Sequence, residues 1–157
     1  KHFWSAVVVD KPKNKKKLNE NIETYRPEGT FSIAEKIQNT QTLTGIYPIN
    51  MVMSDRALKI IDNYKVPPLS EYDSELGCAW CIPIKLTSKK SKNGKWFYTI
   101  DVIDSNSEVA RLRCWGVNPQ KDLIFLNKPY VLKYPNYNET WGFSTYGAID
   151  KKWMMIG

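Results

Sequence analysis

Residues 82–103 read IPIKLTSKKSKNGKWFYTIDVI, and the fold of the C-terminal half is predicted from this stretch. Apolar residues alternate with polar ones at both of its ends, a period typical of strands with one buried face. The lysine-rich middle, 89–94, predicts a turn. We therefore predict a β-hairpin that buries Ile82, Ile84, Leu86, Tyr98, Ile100 and Val102.

Further elements follow the hairpin. A third strand is predicted at 109–115, where the alternation continues. Asn118 as an N-cap, with Pro119 after it, predicts a short helix through Phe125. The last predicted elements are strands at 130–134, at 141–149 and, as an edge strand, at 153–156. Three strands, a short helix and two strands are the order of an OB-fold, so we predict an α+β protein with a five-stranded OB-fold β-barrel in residues 77–157.

In the N-terminal half the sequence predicts helices instead of strands. Ser32 is followed three residues later by a glutamate, the spacing of a capping box, and a helix is expected from there to Gly45. Ser54 begins a second predicted helix, which ends before Pro67. Residues 1–76 are thus expected to be a basic N-terminal segment and a helical connector packed against the barrel.

Composition limits the class of protein. The chain has 157 residues, 42% of them hydrophobic, and a formal net charge of +7 at pH 7, which favours polyanionic partners. An odd number of cysteines favours a reducing compartment, and no apolar run reaches the roughly 18 residues of a spanning helix. We expect a cytoplasmic protein with no membrane partner. Because the chain opens at Lys1 on an apolar run, we also expect it to be a piece of a longer protein.

Lysines and aromatic residues are interleaved between Glu75 and Asp101, with no acidic residue among them. In an OB-fold this stretch includes the loop between the first two strands, where lysines neutralise phosphates and rings stack on bases. Arginines on the third strand would add contacts to phosphates and bases. The predicted nucleic-acid-binding residues are Lys89, Lys90, Lys92, Lys95, Phe97, Thr99, Arg111, Arg113, Trp115 and Tyr137.

Structural roles compete with binding at several of these positions. Trp96 and Tyr98 have the parity of the buried residues, so Phe97 is the better stacking candidate. The two arginines would otherwise form cross-strand pairs with Asp101 or Glu108.

The remaining rings have alternatives as well. Trp115 would otherwise close the end of the barrel. Tyr137 and Trp141 flank a predicted turn, which would bring them over the same groove.

No catalytic or metal-binding constellation is predicted. Cys78 and Cys81 have the spacing of a metal or redox pair, but a zinc site needs four ligands and only Cys114 and His2 are left to complete it. With His2 the only histidine, a nucleophilic triad has no base in the body of the chain. We predict no metal, no cofactor, no enzymatic activity within this chain, and ordinary buried cysteines.

The stretch NGKWFYTIDVID at 93–104, with LTSKK before it at 86–90 and EVARL after it at 108–112, resembles a tract of bacterial replicative DNA polymerase III alpha subunits, the C family. TLTGIY at 42–47 is similar to the segment that leads into the OB domain of that family. The resemblance implies a C-terminal OB module near the single-stranded template. The catalytic aspartates of the family lie in the palm, and no residue of this chain matches their motif.

The preferred hypothesis is therefore single-stranded nucleic-acid binding by an accessory, template-binding module of a replicative DNA polymerase. The expected partners are single-stranded DNA, with RNA as a further candidate, and other domains or subunits of a replication complex. The alternative is an OB module that docks another protein of that complex through its ring-rich surface. The basic loop from Lys11 to Lys17 is expected to add a second electrostatic contact to nucleic acid.

Overall fold

The computed structural model describes residues 32–157. The prediction for the basic loop at 11–17 lies outside the described residues. Residues 33–157 form one compact unit.

Three α-helices, two short 3-10 turns and seven strands make up the secondary structure of residues 32–157. The helices are α1 Ile33–Thr44, α2 Asp55–Tyr64 and α3 Ile149–Lys152, and the 3-10 turns are Ile49–Met51 and Leu69–Glu71. The strands are β1 Cys78–Lys90, β2 Trp96–Ile103, β3 Val109–Trp115, β4 Tyr130–Lys133, β5 Asn136–Asn138, β6 Gly142–Tyr146 and β7 Trp153–Met155.

Local sequence accounts for the two longer helices, both of which were predicted. The backbone N–H of Ala57 donates a hydrogen bond of 3.2 Å to Ser54 Oγ, so Ser54 is the N-cap of α2. Helix α1 ends before Gly45, whose φ of +72° is a left-handed conformation that glycine adopts without steric cost.

The seven strands form one curled sheet in the order β5-β6-β3-β2-β1-β4-β7. β3 and β6 run parallel, and the other neighbours are antiparallel. β1 pairs with β4 through its first four residues and with β2 through the rest, so the sheet bends along this strand. The protein is thus a mixed α+β fold with a barrel-like sheet.

A β-bulge at Ile84 divides β1 into two halves with opposite alternation of side chains. Pro83 pairs with Val102 and Lys85 with Asp101, so Ile84 is an extra residue on β1. Because side chains alternate along a strand, one extra residue moves every later side chain to the other face. The prediction that Ile82 and Ile84 share a buried face with Leu86 is therefore wrong.

Two hydrophobic clusters lie on the two sides of this strand. Ala79, Cys81 and Leu86 belong to the first, inside the curled sheet. Trp80 and Ile82 belong to the second, which the helical region completes with Ile37, Tyr47, Ala57 and Val66. The predicted packing of the helical region on the strands is confirmed for residues 33–76, and the boundary at residue 76 stays a prediction.

The connection from β3 to β4 contains no helix, and the prediction of a short helix from Asn118 to Phe125 is wrong. Asn118 and Pro119 begin a single turn, in which the backbone N–H groups of Lys121 and Asp122 donate to the Asn118 carbonyl. The turn does not continue as a helix, because the backbone N–H of Phe125 donates to the Tyr130 hydroxyl at 3.0 Å instead of to the Lys121 carbonyl. The Asp122 carboxylate accepts from the backbone N–H groups of both Asn118 and Ile149. These bonds fix the chain in a shape that a longer helix would break.

The C-terminal strands are more numerous than predicted. Tyr134 has a φ of +48° and donates its backbone N–H to the Gly77 carbonyl at 2.7 Å, and this kink ends β4. The additional strand β5 lies at 136–138, where a turn was predicted. Asn138 Oδ1 accepts from the backbone N–H of Thr140, so the hairpin turn lies just after β5. The predicted edge strand is present as β7, paired with β4.

A buried carboxylate holds the end of β2 against the second 3-10 turn. Asp104 is 3% exposed, and its oxygens accept from the backbone N–H of Ser70 at 2.7 Å and of Asn106 at 2.9 Å. Asp104 therefore ties the strand end to the turn that follows it and to the 3-10 turn.

Asp104→Asn is expected to lower the free energy of unfolding by about 1–3 kcal/mol, because one carboxylate oxygen becomes an NH₂ group that faces a backbone N–H. Denaturant unfolding followed by circular dichroism measures the change. Asp150→Asn, at an exposed position, is the matched control and should change stability by less than about 0.5 kcal/mol. Equal effects of the two substitutions would show that the two hydrogen bonds contribute nothing.

Candidate nucleic-acid interface

The outer face of the sheet, defined as the face of β1, β2, β3 and β6 turned away from the first cluster, carries a row of rings. In strand register, Lys89 lies opposite Phe97, Phe97 opposite Trp115, and Trp115 beside Tyr146. Since directly paired residues project from the same face, these four side chains form a row across four strands. The buried partners Tyr98 and Cys114 lie on the other face, as the alternation predicted.

Two of the rings form a stacked pair. The ring centroids of Phe97 and Trp115 are 4.5 Å apart, with an angle of 25° between the ring planes. Both residues are half-buried, so the pair packs on the sheet and still reaches solvent. A stacked pair occupies one face of each ring, which leaves the opposite faces for other contacts.

Arg113 lies in the next row, between Thr99 on β2 and Ser144 on β6. Its Nη1 donates a hydrogen bond of 2.9 Å to the backbone carbonyl of Trp141, and its guanidinium lies 5.1 Å from the centroid of the Trp141 ring. These contacts hold the β5–β6 turn over the outer face. Thr99, which belongs to the same row, is half-buried.

A cavity of about 380 Å³ opens between the stacked pair and the β5–β6 turn. Arg113 is the one charged residue among those that line it. Four rings, two polar side chains and one glycine complete the lining: Phe97, Trp115, Trp141 and Tyr146, with Asn138, Ser144 and Gly142. The cavity therefore combines flat apolar surfaces with one cation, a combination that suits bases and phosphates.

The β1–β2 hairpin supplies further positive charge at one end of the row. Its turn is closed by hydrogen bonds between Ser91 and Lys95 and from the Gly94 N–H to the Ser91 carbonyl. Lys89, Lys90, Lys92 and Lys95 are all exposed. Within residues 32–157 none of these four forms an ion pair, and Lys90 Nζ lies 5.0 Å from the centroid of the Trp96 ring.

Arg111 forms a salt bridge with an aspartate on the neighbouring strand. Its Nε donates a hydrogen bond of 2.9 Å to Asp101 Oδ1, and this bond raises the pKa of the guanidinium. The structural alternative of a cross-strand pair is therefore confirmed for Arg111. It does not hold for Arg113, which bonds to Trp141 instead.

Tyr137 does not lie with the other predicted residues. It is paired in register with Phe143, which is paired with the buried Leu112, so all three project from the core side of the sheet. The ring centroids of Tyr137 and Phe143 are 4.9 Å apart. The expectation that Tyr137 and Trp141 close over one groove is met by Trp141 alone.

Ser144 and Tyr146 line the cavity but were not predicted. Their parity is opposite to that of Phe143 and the buried Thr145, which is a signal present in the sequence. That signal carries no information on which strand lies next to β6. The parallel pairing of β6 with β3 is what brings Tyr146 beside Trp115.

Two of the three cysteines are part of the core. Cys81 and Cys114 are fully buried, and this burial raises the pKa of Cys81 well above its usual value and that of Cys114 to about 12. Thr145 Oγ1 donates to Cys114 Sγ at 3.2 Å. Within residues 32–157 no group of three or more His, Cys, Asp or Glu side chains is arranged to hold a metal ion.

Comparison with known proteins gives no family. No protein-family model matches the chain, and no curated protein is significantly similar to it. In the described part of the chain, no helix combines the length and the apolar character needed to cross a membrane.

In the folded protein, a disulfide reagent such as DTNB at neutral pH is expected to modify Cys78 and to leave Cys81 and Cys114 unmodified. Cys78 is only half-buried, whereas the other two are enclosed and keep their protons because burial raises the pKa of each thiol. The released thiolate, measured by absorbance, should correspond to one thiol before denaturation and to all three afterwards. Cys78→Ser is the control that should abolish the native signal, and equal native rates for the three thiols would contradict this assignment.

Proposed function

We propose that this protein binds single-stranded nucleic acid, with DNA as the first candidate, on the outer face of β2, β3 and β6. The observation that carries the proposal is the row of rings on three neighbouring strands beside a lysine hairpin that lacks acidic residues. Adjacent strands are about 4.8 Å apart, so Phe97, Trp115 and Tyr146 span about 10 Å across the sheet. This length suits a strand of one or two stacked bases whose phosphates reach Arg113 and the lysines.

We also propose that the sheet is an OB-fold barrel. Three features support this assignment: β1 pairs with both β2 and β4, β3 pairs in parallel with β6, and β4 continues into β5 through only two residues. When β4 and β5 are counted as one kinked strand, five strands follow one another around a closed ring. The missing helix after β3 and the additional strand β7 are departures from that pattern.

The place of this module in a replicative DNA polymerase of the C family rests on the sequence resemblance alone. We propose a template-binding role there, by binding and without covalent chemistry. The alternative of protein docking on the same face is less favoured, because Arg113 and the unpaired lysines of the hairpin suit a polyanion better than an apolar partner.

Tyr146→Ala and Phe97→Ala are each expected to weaken binding of fluorescein-labelled oligo(dT) by about 5- to 150-fold, since base stacking contributes about 1–3 kcal/mol per base. Fluorescence anisotropy at low salt measures the affinity. Tyr64→Ala is the matched control, because this tyrosine is exposed at the end of α2. Thermal melts show whether each variant is folded. Absence of binding at low salt, or equal losses in Tyr146→Ala and Tyr64→Ala, would remove the proposal.

Replacing the four hairpin lysines with serine is expected to reduce the salt dependence of binding. For single strands each neutralised phosphate contributes about 0.7 to the slope of log K against log salt, so the slope should fall by up to about 3. The four lysines are Lys89, Lys90, Lys92 and Lys95. A control variant removes four exposed lysines elsewhere, at Lys36, Lys59, Lys128 and Lys151. An unchanged slope in the hairpin variant would show that the hairpin lysines do not contact the phosphates.

Competition between DNA and RNA oligomers of one sequence identifies the preferred polymer, because the 2′-hydroxyl is the group that differs. If RNA is preferred, the proposed binding face stands and the proposed ligand becomes single-stranded RNA. Equal competition would indicate contacts to bases and phosphates only.

A further inference from the structure

A second cavity, of about 480 Å³, opens on the core side of the sheet near β5 and β6. Three aromatic rings line it, from Tyr72, Tyr137 and Phe143. Tyr72 follows the 3-10 turn at Leu69–Glu71, and the other two rings belong to β5 and β6. This is the cavity to which the fold assigns Tyr137.

The charges around this cavity are negative. Asp104 and Glu108 are the charged residues in its lining, with no lysine or arginine among them. Asp104 already accepts two backbone hydrogen bonds. Glu108 is exposed, and its carboxylate has no ion-pair partner within residues 32–157. Glu71, Asp73 and Glu75 lie in the segment that forms one wall, and Asp73 and Glu75 are exposed.

The three rings form a bent wall instead of a flat stack. Tyr72 meets Phe143 edge to face, with centroids 6.1 Å apart and an angle of 76° between the planes. Tyr137 meets Phe143 at 4.9 Å and 52°. Rings inclined to one another in this way turn more than one face or edge toward the same space, which suits a cation held against ring faces.

Tyr72 and Phe143 pack against the first cluster, but Tyr137 is not needed to fill the core at this end. Tyr137 is 62% exposed, and the neighbouring lining residue Val109 is 60% exposed. A large ring that packs on one neighbour and leaves most of its surface in water contributes little to folding. Exposed apolar surface of this kind, next to a cavity, is typical of a binding site.

We propose that this cavity binds the cationic side chain of a lysine or arginine in a basic peptide segment of a partner protein. The rings hold the cation by cation–π attraction, and Glu108 supplies the opposite charge at the rim. A nucleic acid is excluded here because its phosphates would be repelled by the surrounding carboxylates. The net charge of the whole protein is +7, so attraction of a basic peptide must come from this local site.

The test measures anisotropy of a fluorescein-labelled decapeptide of alternating lysine and glycine during titration with the full chain. Tyr137→Ala and Glu108→Gln change exposed residues and are each expected to weaken binding by about threefold or more, the effect of one exposed cation–π contact or ion pair. The same peptide with every lysine Nε-acetylated keeps most of the shape and loses the charge. It should not bind.

The controls are a tyrosine and an aspartate at exposed positions outside the lining of this cavity. Tyr64→Ala and Asp150→Asn should bind the lysine peptide as the unmodified chain does. Circular dichroism melts check that all four variants are folded. No binding of the lysine peptide, equal binding of its acetylated form, or full binding by both Tyr137→Ala and Glu108→Gln would overturn the proposal.

Discussion

One additional residue in β1, Ile84, reverses the alternation of side chains along the strand, so that Leu86 after the bulge packs on the first cluster while Ile82 before it belongs to the second. Before the bulge, Ala79 and Cys81 face the interior of the curled sheet, while Trp80 and Ile82 face the helical region. The first half of the strand is buried on both sides as a result. If the side chains continued to alternate from Ile82 without a bulge, Lys85 and Lys89 would face inward and Leu86 outward.

The same alternation separates the two surfaces of the sheet. Ile100, Leu112 and Thr145 are each buried on their own strand. Because side chains alternate, the residues next to each of them along the strand must face outward. This is why the rings at 97, 115 and 146 meet on the outer face although they are far apart in sequence. Phe143 and Tyr137, with the opposite parity, meet on the core side near the acidic segment.

The two cavities differ in charge as well as in position. The cavity on the outer face has Arg113 in its lining and a lysine hairpin at the end of its ring row, whereas the cavity on the core side has Asp104 and Glu108. Rings are common to both. The charge next to the rings therefore decides which ligand each cavity suits, an anion in one case and a cation in the other.

The sequence by itself determined the features that depend on local periodicity and capping. These include the two longer helices, the β1–β2 hairpin, the outward parity of Arg113 and Trp115, and the edge strand β7. Each is set by residues within a few positions of one another, because a helix cap or an alternating strand is a local pattern.

Only the tertiary structure decided the features that depend on distant residues. The bulge at Ile84 is set by packing against two clusters. In place of the predicted helix at Asn118 there is a turn held by distant residues, since Tyr98 donates to the Asp122 carbonyl and the Ile149 N–H to the Asp122 carboxylate. The placement of Tyr137 follows from its register with Phe143, and that of Tyr146 from the parallel pairing of β6 with β3. Strand register is a long-range property, and a single change of register moves a side chain to the opposite face of the sheet.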